Sequence, residues 1–160
     1  MAAPQPGAEL VPHSSNIRPA SFNGLITYDG STGYAAEAGR YQLYASLACP
    51  WSHRALIVRA LLGLEQVIGL TLTDPIRDER GWRFPVINGG LDPVSGARYV
   101  SDLYLATDAG YVGRFTVPCV WDTRTHRIVT NDVPQITITF ETEFRAFHRP
   151  GATGAGDICR

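Results

Sequence analysis

The chain has 160 residues, 44% of them hydrophobic and 18% charged, with a formal net charge of −1 at pH 7. That length holds one ordinary domain with a real core, the apolar content excludes a disordered chain, and the charge gives no pull towards nucleic acid or an anionic membrane. Three cysteines at no framework spacing (Cys49, Cys119, Cys159), a start without a basic and apolar leader, and no apolar run of membrane-spanning length lead us to expect a cytoplasmic protein.

Residues 1–38 are rich in Pro, Gly, Ser, Asn and Ala without a sustained period, which predicts an extended or partly disordered arm. Short apolar pieces in it, such as Leu25-Ile26-Thr27-Tyr28, are suited to packing on the domain that follows, residues 39–149. Residues 41–47 alternate as a strand. Cys49-Pro50 then opens a helix over 51–63, in which Ala55, Leu56, Val58, Leu61 and Leu62 recur at helical spacing. Pro50 suits the first helical position, because its ring presets φ and its missing N–H would have had no helical partner. Gly63 suits the helix end. Residues 67–72 read as a second strand, and 74–99, with three prolines and four glycines, as a long loop of the kind that is functional or mobile. A short helix follows over 101–107. Pro118-Cys119-Val120-Trp121 and Arg127-Ile128-Val129-Thr130 form a hairpin around Asp122-Thr123-Arg124-Thr125. Asp132 is placed as N-cap of a last helix running to about Phe147, and residues 150–160 form a flexible tail. The order β-α-β, helix, β-β-α is a thioredoxin-like α/β layout: a mixed four-stranded sheet with flanking helices, built from a parallel pair and an antiparallel hairpin.

Cys49 is the candidate nucleophile. At a strand-to-helix junction, unpaired backbone N–H groups and the helix dipole stabilise a thiolate; the competing role is that of a small buried hydrophobe. Ser52 stands where a dithiol redox protein carries its second cysteine, so Cys49 has to work as a single thiol. Ser52 itself serves either as a donor to the thiolate or as a helix-start cap. His53 reads as an exposed helix residue and Arg54 as an ion-pair residue. No metal-ligand spacing joins the cysteines to His53. Val117-Pro118 opens a strand on the far side of the active helix, a place where a cis bond is expected and where the Val117 backbone can pair with an extended thiol peptide. Asp132 either caps its helix or receives an ammonium group, and Trp82 either stacks on a ligand or belongs to the core.

Leu47-Ala48-Cys49-Pro50-Trp51-Ser52-His53-Arg54, Gly81-Trp82-Arg83-Phe84, Gly113-Arg114-Phe115-Thr116-Val117-Pro118 and Ile128-Val129-Thr130-Asn131-Asp132 occur in that order, after Tyr34-Ala35-Ala36-Glu37-Ala38-Gly39-Arg40-Tyr41. Together they resemble the N-terminal domain of the Xi-class glutathione transferases, the glutathionyl-hydroquinone reductases. The resemblance implies an enzyme in which the Cys49 thiolate attacks the sulfur of a glutathionyl-hydroquinone, releases the hydroquinone and forms a mixed disulfide that a second glutathione resolves. It implies that Trp82 and Arg114 hold the thiol, that the Val117 backbone before Pro118 pairs with its cysteinyl part, and that Asp132 meets its γ-glutamyl end. The implied partners are a small thiol co-substrate and a quinone- or hydroquinone-type aromatic, with no metal.

Two departures shape the expectations. The family commonly carries Glu-Ser where Asp132-Val133 stand, which removes a hydroxyl contact to the γ-glutamyl group. All 14 Lys and Arg positions are arginine, a bias of GC-rich bacterial genomes, so another low-molecular-weight thiol such as mycothiol is the alternative to glutathione. The family's all-helical C-terminal domain, which forms most of the acceptor pocket and much of the dimer contact, is absent by Arg160. We therefore expect a fragment, a truncated product, or a chain whose pocket comes from a homodimer mate or helical partner, impaired when alone. The competing function is a non-catalytic thioredoxin-like binding module.

Overall fold

Alternation along the first strand decides which side chains meet which layer. In the computed structural model, which describes residues 22–152, β1 is Tyr41–Ala45. Its successive side chains leave to opposite faces, so that Tyr41, Leu43 and Ala45 enter one buried cluster and Tyr44 the other. The strand β2 (Ile68–Leu72) pairs parallel with β1, β3 (Cys119–Asp122) pairs antiparallel with it, and β4 (Arg127–Thr130) pairs antiparallel with β3. The sheet order is β2-β1-β3-β4. Helices α1 (Pro50–Leu61) and α3 (Val133–Thr142) cover one face with Ala55, Val58, Ile136 and Phe140. Helix α2 (Val100–Thr107) covers the other, setting Leu103 and Tyr104 beside Tyr44, Cys119, Trp121 and Ile128. This is the thioredoxin-like α/β layout with a mixed four-stranded sheet that the sequence predicts.

Two stretches differ from the sequence reading. The described part of the expected arm, residues 22–38, lies on the domain. Gly24 N–H donates to Val129 O at 2.8 Å and Asn131 N–H to Phe22 O at 3.0 Å, which extends the β4 edge, and Ile26 is fully buried. A Cβ at residue 24 would meet the Val129 carbonyl oxygen at 2.8 Å, so this approach needs glycine. The last helix stops at Thr142 and closes in a 3-10 turn, Arg145–Phe147. The Glu143 carboxylate accepts the backbone N–H of Tyr28 at 2.9 Å, and Phe144 turns inward, edge-on to Tyr41 with ring centres 6.0 Å apart. Residues 1–21, the tail from 153 and Cys159 lie outside the described residues.

The long loop over 74–99 is irregular, with one 3-10 turn at Val86–Asn88, and is fastened by a single buried carboxylate. Asp92 accepts from the Tyr44 hydroxyl at 2.6 Å, the Thr71 hydroxyl at 2.9 Å and the Ser95 N–H at 2.7 Å. At the opposite end of β1, Arg40 makes a forked pair with the buried Asp122, Nε to Oδ1 at 3.0 Å and Nη2 to Oδ2 at 2.9 Å. Burial pushes the Asp122 carboxyl up, but the Arg40 fork, the Arg124 N–H and the Thr125 hydroxyl outweigh it and hold the group below the usual carboxylate range.

A carboxyl depressed in the folded state contributes stability above its unfolded pKa, and that contribution is lost as pH falls through the folded value. Wild type is therefore expected to weaken below about pH 4. Asp122→Asn should cost about 3 kcal/mol at pH 7 by leaving the buried Arg40 guanidinium only the partly exposed Glu37 as counter-charge and flatten the acid limb, as urea melts across pH will measure.

Candidate functional site

The site begins where β1 hands the chain to α1. Cys49 is the N-cap of α1 with extended backbone (φ −107°, ψ 114°), and Pro50 occupies the first turn as predicted. The Cys49 carbonyl accepts the Ser52 N–H at 3.0 Å, and the Cys49 N–H closes a turn onto Ser46 O at 3.1 Å. These bonds fix the half-buried thiol, which donates to the Val117 carbonyl oxygen at 3.4 Å. The Val117-Pro118 bond is cis, as the sequence suggests. Two segments separated by 68 positions thus meet at one sulfur.

Neighbouring residues take plainer roles. Ser52 is fully buried, and its oxygen accepts the Ser46 N–H at 3.2 Å, which ties the helix start to the end of β1. The exposed His53 donates from Nε2 to the Leu47 carbonyl at 2.8 Å, bracing the same turn. Cys119 lies in the core, where burial pushes its thiol up.

The remaining predicted residues are partly brought together. Trp82 and Cys49 pack against the same buried cluster, and the Arg77 guanidinium sits over the Trp82 ring at 5.1 Å. Arg114 is exposed and, with Arg77, Arg80, Leu105 and Phe115, lines a cavity of about 360 Å³. Asp132 caps α3, its Oδ1 accepting the Gln135 N–H at 3.0 Å. Another cavity, of about 490 Å³, lies between α2 and the β3–β4 turn, lined by Leu103, Ala106, Trp121 and His126. Cys49, Val117 and Asp132 line neither.

Sequence reasoning missed the group that links these pieces. The Tyr104 hydroxyl meets Thr116 and Asn131 between the Val117 segment and the start of α3. Thr116 and Asn131 stand inside the motif blocks, but no local spacing joins them to each other or to Tyr104. Among the described residues no cluster of His, Cys, Asp or Glu can hold a metal ion, and no helix is long and apolar enough to cross a membrane.

A family model described as glutathione S-transferase, N-terminal domain, matches residues 48–143. The glutathionyl-hydroquinone reductase YqjG of Escherichia coli is 41% identical over 134 residues, covering 79% of this chain and 41% of that protein. Its glutathione-bound structure matches with a TM-score of 0.75 over 81% of this chain and 45% of the other. A glutathione transferase from Gordonia bronchialis is 49% identical, with a TM-score of 0.79 over 82% of this chain and 41% of its own. The Xi glutathione transferase of Phanerochaete chrysosporium is 42% identical, with a TM-score of 0.75 over 82% and 45%. The chain thus spans about two fifths of the length of the relatives it matches.

Differential alkylation tests the site's starting point. In the folded protein, iodoacetamide is expected to label the half-buried Cys49 while Cys119 stays unlabelled until urea opens the core. Equal labelling of both in the folded protein would remove the case for Cys49.

Proposed function

Because this chain belongs to the glutathione S-transferase N-terminal domain family, we propose that its thioredoxin-like domain performs single-thiol chemistry at Cys49 on conjugates of a small thiol, glutathione first. The observation that carries this reading is the 3.4 Å contact between Cys49 Sγ and the Val117 carbonyl. An extended thiol peptide that pairs with the Val117 backbone lays its own sulfur beside Cys49.

In the proposed reaction the Cys49 thiolate attacks the glutathione sulfur of a glutathionyl-hydroquinone. The S–S bond forms, the carbon–sulfur bond breaks, and the ring carbon keeps the electron pair and takes a proton, which yields the free hydroquinone. A second glutathione thiolate attacks the mixed disulfide, releasing glutathione disulfide and the Cys49 thiolate. Two glutathione sulfurs are oxidised and the conjugate is reduced. Trp82 and Arg114 are assigned to the thiol, Val117 beside Pro118 to its cysteinyl part and Asp132 to its γ-glutamyl end. A glutathione-bound relative at 40% identity supports glutathione over mycothiol. Free thiols in both partners require a reducing compartment, consistent with the cytoplasm.

One observation favours a second reading, a module that docks rather than reacts. On α1 the apolar Trp51, Ile57 and Leu61 are 54%, 56% and 42% exposed, and the four-residue spacing of Ile57 and Leu61 sets those two on one side of the helix. A helical partner or a second copy of the chain would cover that side.

Intact mass after incubation with glutathione disulfide, and separately with mycothiol disulfide, tells these apart. We expect a glutathione adduct on Cys49 that Cys49→Ser abolishes. An adduct from mycothiol disulfide alone would reassign the thiol, and no Cys49 adduct from either would leave the docking reading.

Turnover is a separate measurement. Neither of the two cavities described above offers the acceptor an apolar wall beside Cys49. Hydroquinone release by this chain is therefore expected to be at least ~100-fold slower than by the Escherichia coli relative, since orientation of the acceptor is worth several kcal/mol. Comparable steady-state rates would place the acceptor site within this domain.

A further inference from the structure

We infer that Tyr104 is a positioning residue that sets the span of the thiol site, by tying the segment that presents Val117 to the helix start that presents Asp132. The inference rests on the proposed function and names a residue outside its assigned contacts.

Tyr104 lies on α2 and is fully buried. Its hydroxyl donates to the Thr116 carbonyl at 2.9 Å. It accepts from Asn131 Nδ2 at 3.0 Å and faces the Thr116 N–H at 3.3 Å. The Thr116 hydroxyl also lies 3.0 Å from it, so four groups surround a phenol whose one proton and two lone pairs serve three bonds, and residues 116 and 131 fill its capacity between them. Asn131 Nδ2 also reaches the Thr116 hydroxyl at 3.2 Å, while Asn131 Oδ1 accepts the Phe22 N–H at 3.0 Å. One oxygen therefore joins the residue before Val117 to the residue before Asp132.

The geometry of the peptide unit gives this tie a consequence. Val117-Pro118 is the only cis bond among the described residues, so the Thr116–Val117 unit is trans. In a trans unit the C=O and N–H point in opposite directions. Tyr104 holds the Thr116 carbonyl towards α2, so the Val117 N–H points away from α2. That N–H has no hydrogen-bond partner among the described residues. On the far side of the same residue, the Val117 carbonyl receives the Cys49 thiol at 3.4 Å. An unpaired N–H and a carbonyl on one residue beside a thiol are the pairing half that an added strand needs. Tyr104 holds the first of these in place, and through Asn131 it holds the approach to Asp132 at a fixed distance from it.

Such a residue acts on how well a thiol peptide is gripped at both ends, and leaves the reactivity of Cys49 alone. Tyr104→Phe removes the hydroxyl and keeps the ring that packs on Phe22, Tyr111 and Phe115 at centre distances of 5.5, 5.1 and 5.6 Å. The rate of Cys49 glutathionylation by glutathione disulfide, followed by intact mass over a concentration series, is the readout. For Tyr104→Phe we expect half-saturation to rise roughly tenfold, the scale of a lost buried hydrogen bond. The maximal rate and the rate of Cys49 alkylation by iodoacetamide should move less than twofold. Thr116→Val is expected to shift half-saturation in the same direction, and Thr116→Ser, which keeps the hydroxyl, to restore it. Should Tyr104→Phe fail to melt cooperatively, the Thr116 pair decides.

Unchanged half-saturation in folded Tyr104→Phe overturns the inference. So does a parallel loss of alkylation, which would make the effect one on the thiol itself. A wild-type chain that takes up no glutathione at any concentration overturns the proposed function instead, and is told apart because it precedes any comparison of variants.

Discussion

The antiparallel pairing of β1 with β3 is the constraint from which the site follows. Its register sets Tyr44 against Cys119, so the chain leaving β1 and the chain entering β3 lie at the same end of the sheet. Cys49 is five positions beyond the first of these residues and Val117 two before the second. The tight turn at Ser46 and the proline at the start of α1 take up the slack, and the sulfur arrives at the Val117 carbonyl. A slip of one residue would send Tyr44 to the face of Tyr41 and Leu43 and carry Val117 away from the thiol. Two strands that bury both faces cannot slip without exposing a core, so the meeting of Cys49 with Val117 is held by burial far from either residue.

Apolar and polar interactions divide the work. Each fully buried side chain of the size of Leu43, Phe140 or Phe144 contributes about 1.5–3 kcal/mol through removal from water, so the two clusters supply most of the cohesion. The net gain per hydrogen bond is smaller, about 1 kcal/mol, and buried charge is costly unless satisfied. Asp92 and the Arg40–Asp122 pair therefore matter less as sources of stability than as selectors. Asp92 accepts donors from β1, β2 and its own loop, an arrangement that only one placement of residues 74–99 satisfies. Arg40 does the same at the other end, joining β3 and Glu37 through a single guanidinium. A misplaced loop or arm would leave a charge buried without partners.

What the sequence makes legible is what local chemistry determines. Alternation over residues 41–47 and helical spacing after Pro50 place β1 and α1, and the strand-turn-strand signal around Asp122 places the hairpin. The motif residues locate Cys49, Val117 and the Asp132 cap because each sits at an element boundary with its own sequence signature. The apolar piece Leu25-Ile26-Thr27-Tyr28 marks a stretch able to pack on the domain, but where residues 22–38 lie is not legible, since the bonds that place them go to Val129 and Asn131. Thr116 and Asn131 fall inside the motif blocks, but their link through Tyr104 escapes notice, because it spans up to 27 positions and leaves no local trace. The early end of α3 comes where Phe144 leaves helical geometry and turns into the core, a tertiary contact that helix propensity does not encode.

Ser52 shows why the chemistry proposed for this site needs a second molecule. It occupies the position from which a dithiol protein would resolve its own mixed disulfide, and it is buried with its oxygen facing the Ser46 N–H. Cysteine in its place would give a weak acceptor to a backbone N–H that now has a good one, so the serine serves the turn that aims Cys49. The nearest other thiol in the described chain, Cys119, is sealed in the core with its ionisation opposed by burial. Among the described residues an intramolecular disulfide is thus closed off both by residue type and by burial. Electrons that leave through Cys49 have to be replaced by a thiol from solution, and that thiol must reach the same sulfur the first one left. On the proposed reaction, one grip on the Val117 backbone then serves both half-reactions, because the incoming and outgoing species carry the same thiol peptide.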